Sequence, residues 1–140
     1  MPQTFDCDYF NSLGKENLPG LLGIVFTGVG ELSLTAELVV RPALMTPHGF
    51  LHGGTVVALA DTVCGYACLA NLPAGANSFT TIELKSNYFG TAREGIVECV
   101  ANAIHMGRTT QVWDAVVRHQ ETQKTLAMFR CTQMILYPKS

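Results

Sequence analysis

The chain of 140 residues carries nine Lys plus Arg against eleven Asp plus Glu, a net charge of −2 at pH 7, and 48% of it is hydrophobic. That length suits one domain, residues 1–140, that buries a core without staples. Its balanced charge excludes a binder of nucleic acid or of strongly anionic membrane surfaces.

The N-terminal MPQTFDCDYF has no basic stretch followed by an apolar one, unlike a secretory signal, so a cytoplasmic location is expected. From it, FDCDYFNSLG predicts a short amphipathic helix ending near Gly14. LLGIVFTGVG and ELSLTAELVVRP predict a hairpin with Gly28 and Gly30 in or near its turn. HGFLHGGTVVALADTVCGYACL, His48 to Leu69, then turns after two glycines into a long apolar run holding one carboxylate, Asp61. Its length approaches that of a membrane span, but Asp61 lies near its centre, Gly65 and Asn71 interrupt it, and amphipathic strands follow. It reads instead as a helix wrapped by protein.

After Pro73 the chain predicts four consecutive antiparallel strands: SFTTIELKSNYF, GIVECVANAIHM, TTQVWDAVVRHQ and TLAMFRCTQMILY, separated by GTAREG, GR and ETQK. His119 and the residues up to Lys124 read as an exposed hairpin turn, and Trp113 as core. The five cysteines, Cys7, Cys64, Cys68, Cys99 and Cys131, show neither CxxC nor a metal spacing and read as reduced core residues, with no metal site. A single sheet curling around the helix buries it on most sides but supplies only one layer. The remaining face calls for a second copy, so a homodimer is expected.

HGFLHGGTVVALADT, TIELKSNYFGTAREG and HMGRTTQVWDAVV together resemble the hotdog-fold acyl-CoA thioesterases, in the branch of the 4-hydroxybenzoyl-CoA and phenylacetate-pathway enzymes. The similarity runs from about Leu21 to Tyr137. It implies an α+β hotdog fold, an antiparallel sheet of five to six strands wrapped around one long central helix, with a short N-terminal helix. It also implies hydrolysis of an acyl-CoA to free acid and coenzyme A, with no cofactor beyond the coenzyme A of the substrate. A dimer or a dimer of dimers is the implied assembly.

The physics of the motif agrees. Amides that open a helix lack intrahelical partners and sit at the positive end of its dipole, which suits an electron-rich carbonyl oxygen. Glycine at positions 53 and 54 lets a ligand approach the backbone, although both glycines would also permit tight packing of strand on helix. By the resemblance, the Gly53 amide stabilises the thioester oxyanion. Burying a carboxylate is costly unless it is paired, so Asp61 either caps a loop, pairs with a buried base or is the reactive acid. No Lys or Arg lies within two turns of it in sequence.

Asp61 lies eight residues after Gly53, about 12 Å along a helix, whereas a reacting carbon needs both within about 3 Å. Two antiparallel helices at a dimer axis satisfy that requirement, with Gly53 from one chain and Asp61 from the other.

Around this pair the candidates are less uniform. His52 either bonds the thioester oxygen or fixes the turn into the helix. Thr46 stands where some relatives carry glutamine, which leaves that contact open. His48, Met45 and Phe50 would line the acyl pocket, with Tyr66 and Tyr88 as further aromatic neighbours; Tyr88 replaces a histidine of some relatives. Gly54, Thr81, Asn87, Tyr88, Phe89, Gly107, Arg108 and Thr109 fall in regions that in relatives hold the thioester, pantetheine arm or nucleotide. Arg108 suits a phosphate of coenzyme A, or is a solvated turn residue. P-loop, GxGxxG after a strand, GxSxG and the Asp-x-Asn-Pro-x-His hydratase motif are all missing. The rival from another class is a non-catalytic acyl-CoA-binding module, which has no use for Asp61.

Overall fold

The computed structural model describes residues 2–139. Helix α1 (Cys7–Leu13) opens on Asp6, whose carboxylate accepts the Tyr9 N–H at 2.8 Å, and ends at Gly14 as expected. A second short helix, α2 (Leu18–Leu22), which the sequence reading did not foresee, takes Leu21 and Leu22 from the stretch expected to open the first strand; Pro19 in its first turn favours it. The hairpin follows as β1 (Val25–Gly30) and β2 (Ser33–Val39). A 3₁₀ turn over Pro42–Leu44 leads to the long helix α3 (Gly53–Ala70). Strands β3 (Ser78–Tyr88), β4 (Ile96–Met106), β5 (Thr110–His119) and β6 (Thr125–Leu136) complete the chain.

All six strands join one antiparallel sheet in the order β1-β2-β4-β5-β6-β3. Strands β4, β5 and β6 form the expected meander. Strand β3 departs from the expected consecutive pairing: it lies at the far edge beside β6, so the chain leaving it skips two strand positions to enter β4. The inward rows of β2 to β6 lie against α3 and are mostly apolar, with Gln111 and Gln133 as buried polar exceptions, and α3 buries Leu59, Ala60, Val63, Cys64, Ala67 and Cys68 in return. Helix α3 is long and apolar enough to cross a membrane by length and composition, but half of it is buried inside the chain, the mark of a core helix.

A bulge in β3 sets which residues of that strand reach the helix. Thr81 pairs with Gln133 and Glu83 with Thr132, leaving Ile82 as the extra residue. Phe79 and Thr81 therefore face inward before the bulge, and Leu84, Ser86 and Tyr88 after it, although the two sets differ in parity. Without the bulge Tyr88 would point into solvent.

Four of the five cysteines are buried, and all are free. Burial pushes the Cys68 thiol up to about 12, and a hydrogen bond with Cys131 plus burial raises Cys64, so neither is a nucleophile at neutral pH. Trp113 is fully buried; its indole N–H donates to Gln111 Oε1 at 2.8 Å, while Gln111 Nε2 donates to the Asn71 carbonyl at the end of α3 at 2.8 Å. Gln111→Leu leaves both partners unsatisfied, and urea unfolding at fixed protein concentration should show a loss of roughly 1–3 kcal/mol.

Candidate functional site

The chain enters α3 through a tight turn. Met45 and Leu51 bridge, the Thr46 N–H bonds the Phe50 carbonyl at 2.7 Å, and Gly49 sits at φ +86°, a conformation that other residues adopt only under strain. The Leu51 N–H donates to the Ala92 carbonyl at 2.8 Å, tying this turn to the segment between β3 and β4. His52 is then the N-cap. Its Nδ1 accepts the Gly54 N–H at 2.8 Å, and its carbonyl accepts Thr55 N–H at 2.9 Å and Val56 N–H at 3.2 Å. The bond assigns the proton of the neutral ring to Nε2. Of the amides that open α3, only Gly53 N–H is left without an acceptor among the described residues.

That amide borders a cavity of about 320 Å³, lined chiefly by Phe50, Leu51, Gly53, Val56, Tyr88 and Leu126. The walls are apolar and the volume falls at the small end of ligand sites. Tyr88 closes one side: its hydroxyl donates to the Gly53 carbonyl at 2.8 Å, and a Cβ on Gly53 would come within 3.2 Å of that hydroxyl. A Cβ on Gly54 would lie 2.9 Å from His52 Nδ1 and displace the cap. Both glycines thus permit close packing and also leave the helix end bare.

Asp61 lies two turns further along α3, half-buried, outside that cavity. Its Oδ1 is buried with no hydrogen-bond partner among the described residues, and burial raises its carboxyl above the ordinary value of 3.8. Among the described residues no Lys, Arg or His forms an ion pair with it. The face of α3 that carries it, with Gly54, Val57, Ala58, Thr62 and Leu69, is only partly covered by the chain. Next to it, β3 is an edge strand exposing Ile82 (53%) and Leu84 (41%).

The other candidates divide. Thr46 and His48 lie in the turn before α3, where the Thr46 hydroxyl accepts the His48 N–H at 3.2 Å. Tyr88 and Phe50 enter the cavity, but Tyr66 does not: it stacks on Phe26 and Phe10 at 5.2 and 5.8 Å, under α1, nearly three turns along the helix from Val56 of the cavity wall. Asn87 and Phe89 lie outside with Lys85 and Arg130, in a shallow depression on the outer sheet face. The Thr81 hydroxyl bonds buried Gln133 at 2.7 Å. Gly107, Arg108 and Thr109 form the β4–β5 turn, near the C-terminal end of α3; there the Arg108 guanidinium lies 5.9 Å over the Tyr137 ring, and its carbonyl accepts the Tyr137 hydroxyl.

Comparison with known proteins decides the family. The sequence profile of the thioesterase superfamily matches residues 48–126. A 1,4-dihydroxy-2-naphthoyl-CoA hydrolase from Escherichia coli is 33% identical over 129 residues, covering 90% of this chain and 91% of that protein. The chain belongs to the thioesterase superfamily. Its hotdog architecture superposes on a thioesterase from Pseudomonas aeruginosa, crystallised as a point mutant, with TM-score 0.91 at 33% identity, covering 97% of each chain. A Haemophilus influenzae thioesterase gives 0.90 at 31% identity, over 96% of this chain and 93% of that one.

For this superfamily member the sequence reading missed the second wall of the cavity, Gly90, Thr91, Ala92 and Leu126. Only the turn-prone GTAREG marked that region, and its chemistry depends on the Leu51–Ala92 bond, which no local pattern announces. His52→Ala removes a helix cap, so the denaturation midpoint should fall by an amount worth about 1 kcal/mol. An unchanged midpoint would mean that the turn holds without it.

Proposed function

We propose that the protein is an acyl-CoA thioesterase whose two equivalent sites lie across a dimer interface, each using Gly53 of one chain and Asp61 of its partner. The observation that carries this reading is the division of the chemistry along one helix. A free amide opens onto an apolar cavity, and a carboxylate with an unpartnered oxygen lies about 12 Å away on a half-covered face, too far to serve the same carbon. The unpaired β3 edge with its exposed Ile82 and Leu84 supports pairing with a second copy.

In the proposed reaction Asp61 takes a proton from water, and the oxygen attacks the thioester carbonyl. The resulting oxyanion is held by the Gly53 N–H. Collapse expels the thiolate of coenzyme A and leaves the free acid. Aspartate, one methylene shorter than glutamate, leaves room for the water and favours general-base over nucleophilic attack. The apolar cavity with Phe50 and Tyr88 favours an aryl or arylacetyl chain, with medium straight chains next; the Escherichia coli relative named for an aromatic acyl-CoA supports that order. Antiparallel α3 helices would bring Arg108 of the partner subunit to the Gly53 side, where it would meet a phosphate of the carrier.

Gly53 occupies the first helical position, where proline fits and removes only an amide that the fold does not use. Gly53→Pro should lower turnover about 10²–10³-fold below Gly53→Ala, which adds the same Cβ and keeps the N–H. Asp61→Asn should fold and lose about 10²–10⁴-fold in thiol release across an acyl-CoA panel. Mixing the Gly53→Pro and Asp61→Asn chains should restore about half the wild-type turnover in each mixed dimer, since one of its two sites is intact. No recovery in verified mixed dimers would overturn the shared site, and full activity of Asp61→Asn would favour the non-catalytic binding module.

The raised Asp61 carboxyl has two consequences of opposite sign. As a base it must be ionised, so kcat/KM should fall on acidification at a pH above 3.8, the ordinary aspartate value. Folding favours its protonated form, so its contribution to stability is present below the ordinary value and lost as pH rises through the raised one. Melting curves should show wild type falling behind Asp61→Asn across that interval.

A further inference from the structure

The cavity has a cation at its rim that the proposed reaction does not use. Arg93, exposed, lies in the segment whose Thr91 and Ala92 line the cavity, and its guanidinium carbon stands 5.8 Å over the ring of Phe50, another lining residue. One N–H group, Nη1, donates to the Gly49 carbonyl at 3.2 Å and reaches the His48 carbonyl at 3.5 Å. Its other N–H groups have no acceptor among the described residues, and no carboxylate there comes within 4 Å of it. Stacking and one backbone bond fix the plane of the group and leave its fork unneutralised, the arrangement that suits a bidentate oxyanion. The segment is itself held to the turn before α3 by the Leu51–Ala92 bond, so the guanidinium keeps its place relative to the Gly53 amide.

We propose that Arg93 binds an oxyanion of the thioester substrate, either a phosphate of the carrier or an acid group on the acyl chain, and so helps to select which thioesters reach Gly53. This rests on the acyl-CoA thioesterase reading. The contact is made equally by substrate and transition state, because it lies away from the reacting carbon, and it therefore acts on binding.

The test is steady-state hydrolysis by the full chain as wild type, Arg93→Met and Arg93→Lys. With an acyl-CoA, Arg93→Met should raise KM about tenfold at unchanged kcat, the loss expected for one charge-assisted contact. It should also flatten the dependence of KM on salt. Arg93→Lys keeps charge without the fork and should fall between. Moving the same acyl group to the phosphate-free thiol N-acetylcysteamine separates the two sources: abolition of the Arg93 effect assigns the carrier phosphate, and an effect that survives only for chains ending in a carboxylate assigns the acyl acid. An unchanged KM for every thioester overturns the proposal. So does a fall in kcat common to all thioesters, which marks a side chain that only pins the turn. If the wild type hydrolyses no thioester, the thioesterase reading fails by itself; calorimetric titration with the intact acyl-CoAs then decides Arg93, a tenfold weaker Kd in Arg93→Met supporting it and an equal Kd overturning it.

Discussion

The amides that open α3 need partners, and the way they find them organises the whole site. His52 supplies two acceptors, its ring for Gly54 and its carbonyl for Thr55 and Val56, and leaves one donor, Gly53 N–H, facing an apolar cavity. The first amide of a helix has no internal partner in any case, so leaving this one without a side-chain acceptor costs the fold little. It suits a carbonyl oxygen that gains negative charge during reaction. Tyr88 fixes the neighbouring carbonyl of the same residue, so the peptides on both sides of Gly53 are held in place.

That arrangement depends on distant parts of the chain. Tyr88 reaches Gly53 because the extra residue at Ile82 shifts the parity of β3 midway, and Phe79 packs against Gly65 at the other end of the same strand. The turn before α3 is held by Ala92, from the segment that carries the chain from β3 past two strand positions to β4. The edge position of β3 makes the cavity possible and leaves an apolar margin beside Asp61.

Asp61 itself is in tension with its surroundings. The sheet buries one face of α3 with Leu59, Val63 and Cys64, and the aspartate lies on the face left partly open, with one oxygen enclosed and unpartnered. Burial raises its carboxyl, which makes it a better base and a poorer contributor to folding at neutral pH.

The sequence by itself determined the elements and the chemistry that a local pattern can encode. Apolar content over Gly53–Ala70 specified a core helix, alternation specified the last four strands, and a histidine and two glycines before a run with one acid marked the site. Period and propensity are short-range properties, and so is a helix end. Only the tertiary structure decided that β3 pairs with β6 instead of β4, that Tyr88 faces inward and Asn87 outward, that Tyr66 belongs to the aromatic stack under α1, and that Arg93 stands at the cavity rim while Arg108 lies near the other end of α3. Each of these rests on a bulge, a crossover or a contact between residues far apart in the chain. Such features follow from packing the whole sheet around one helix, and a one-residue change in register reverses which side chains reach it.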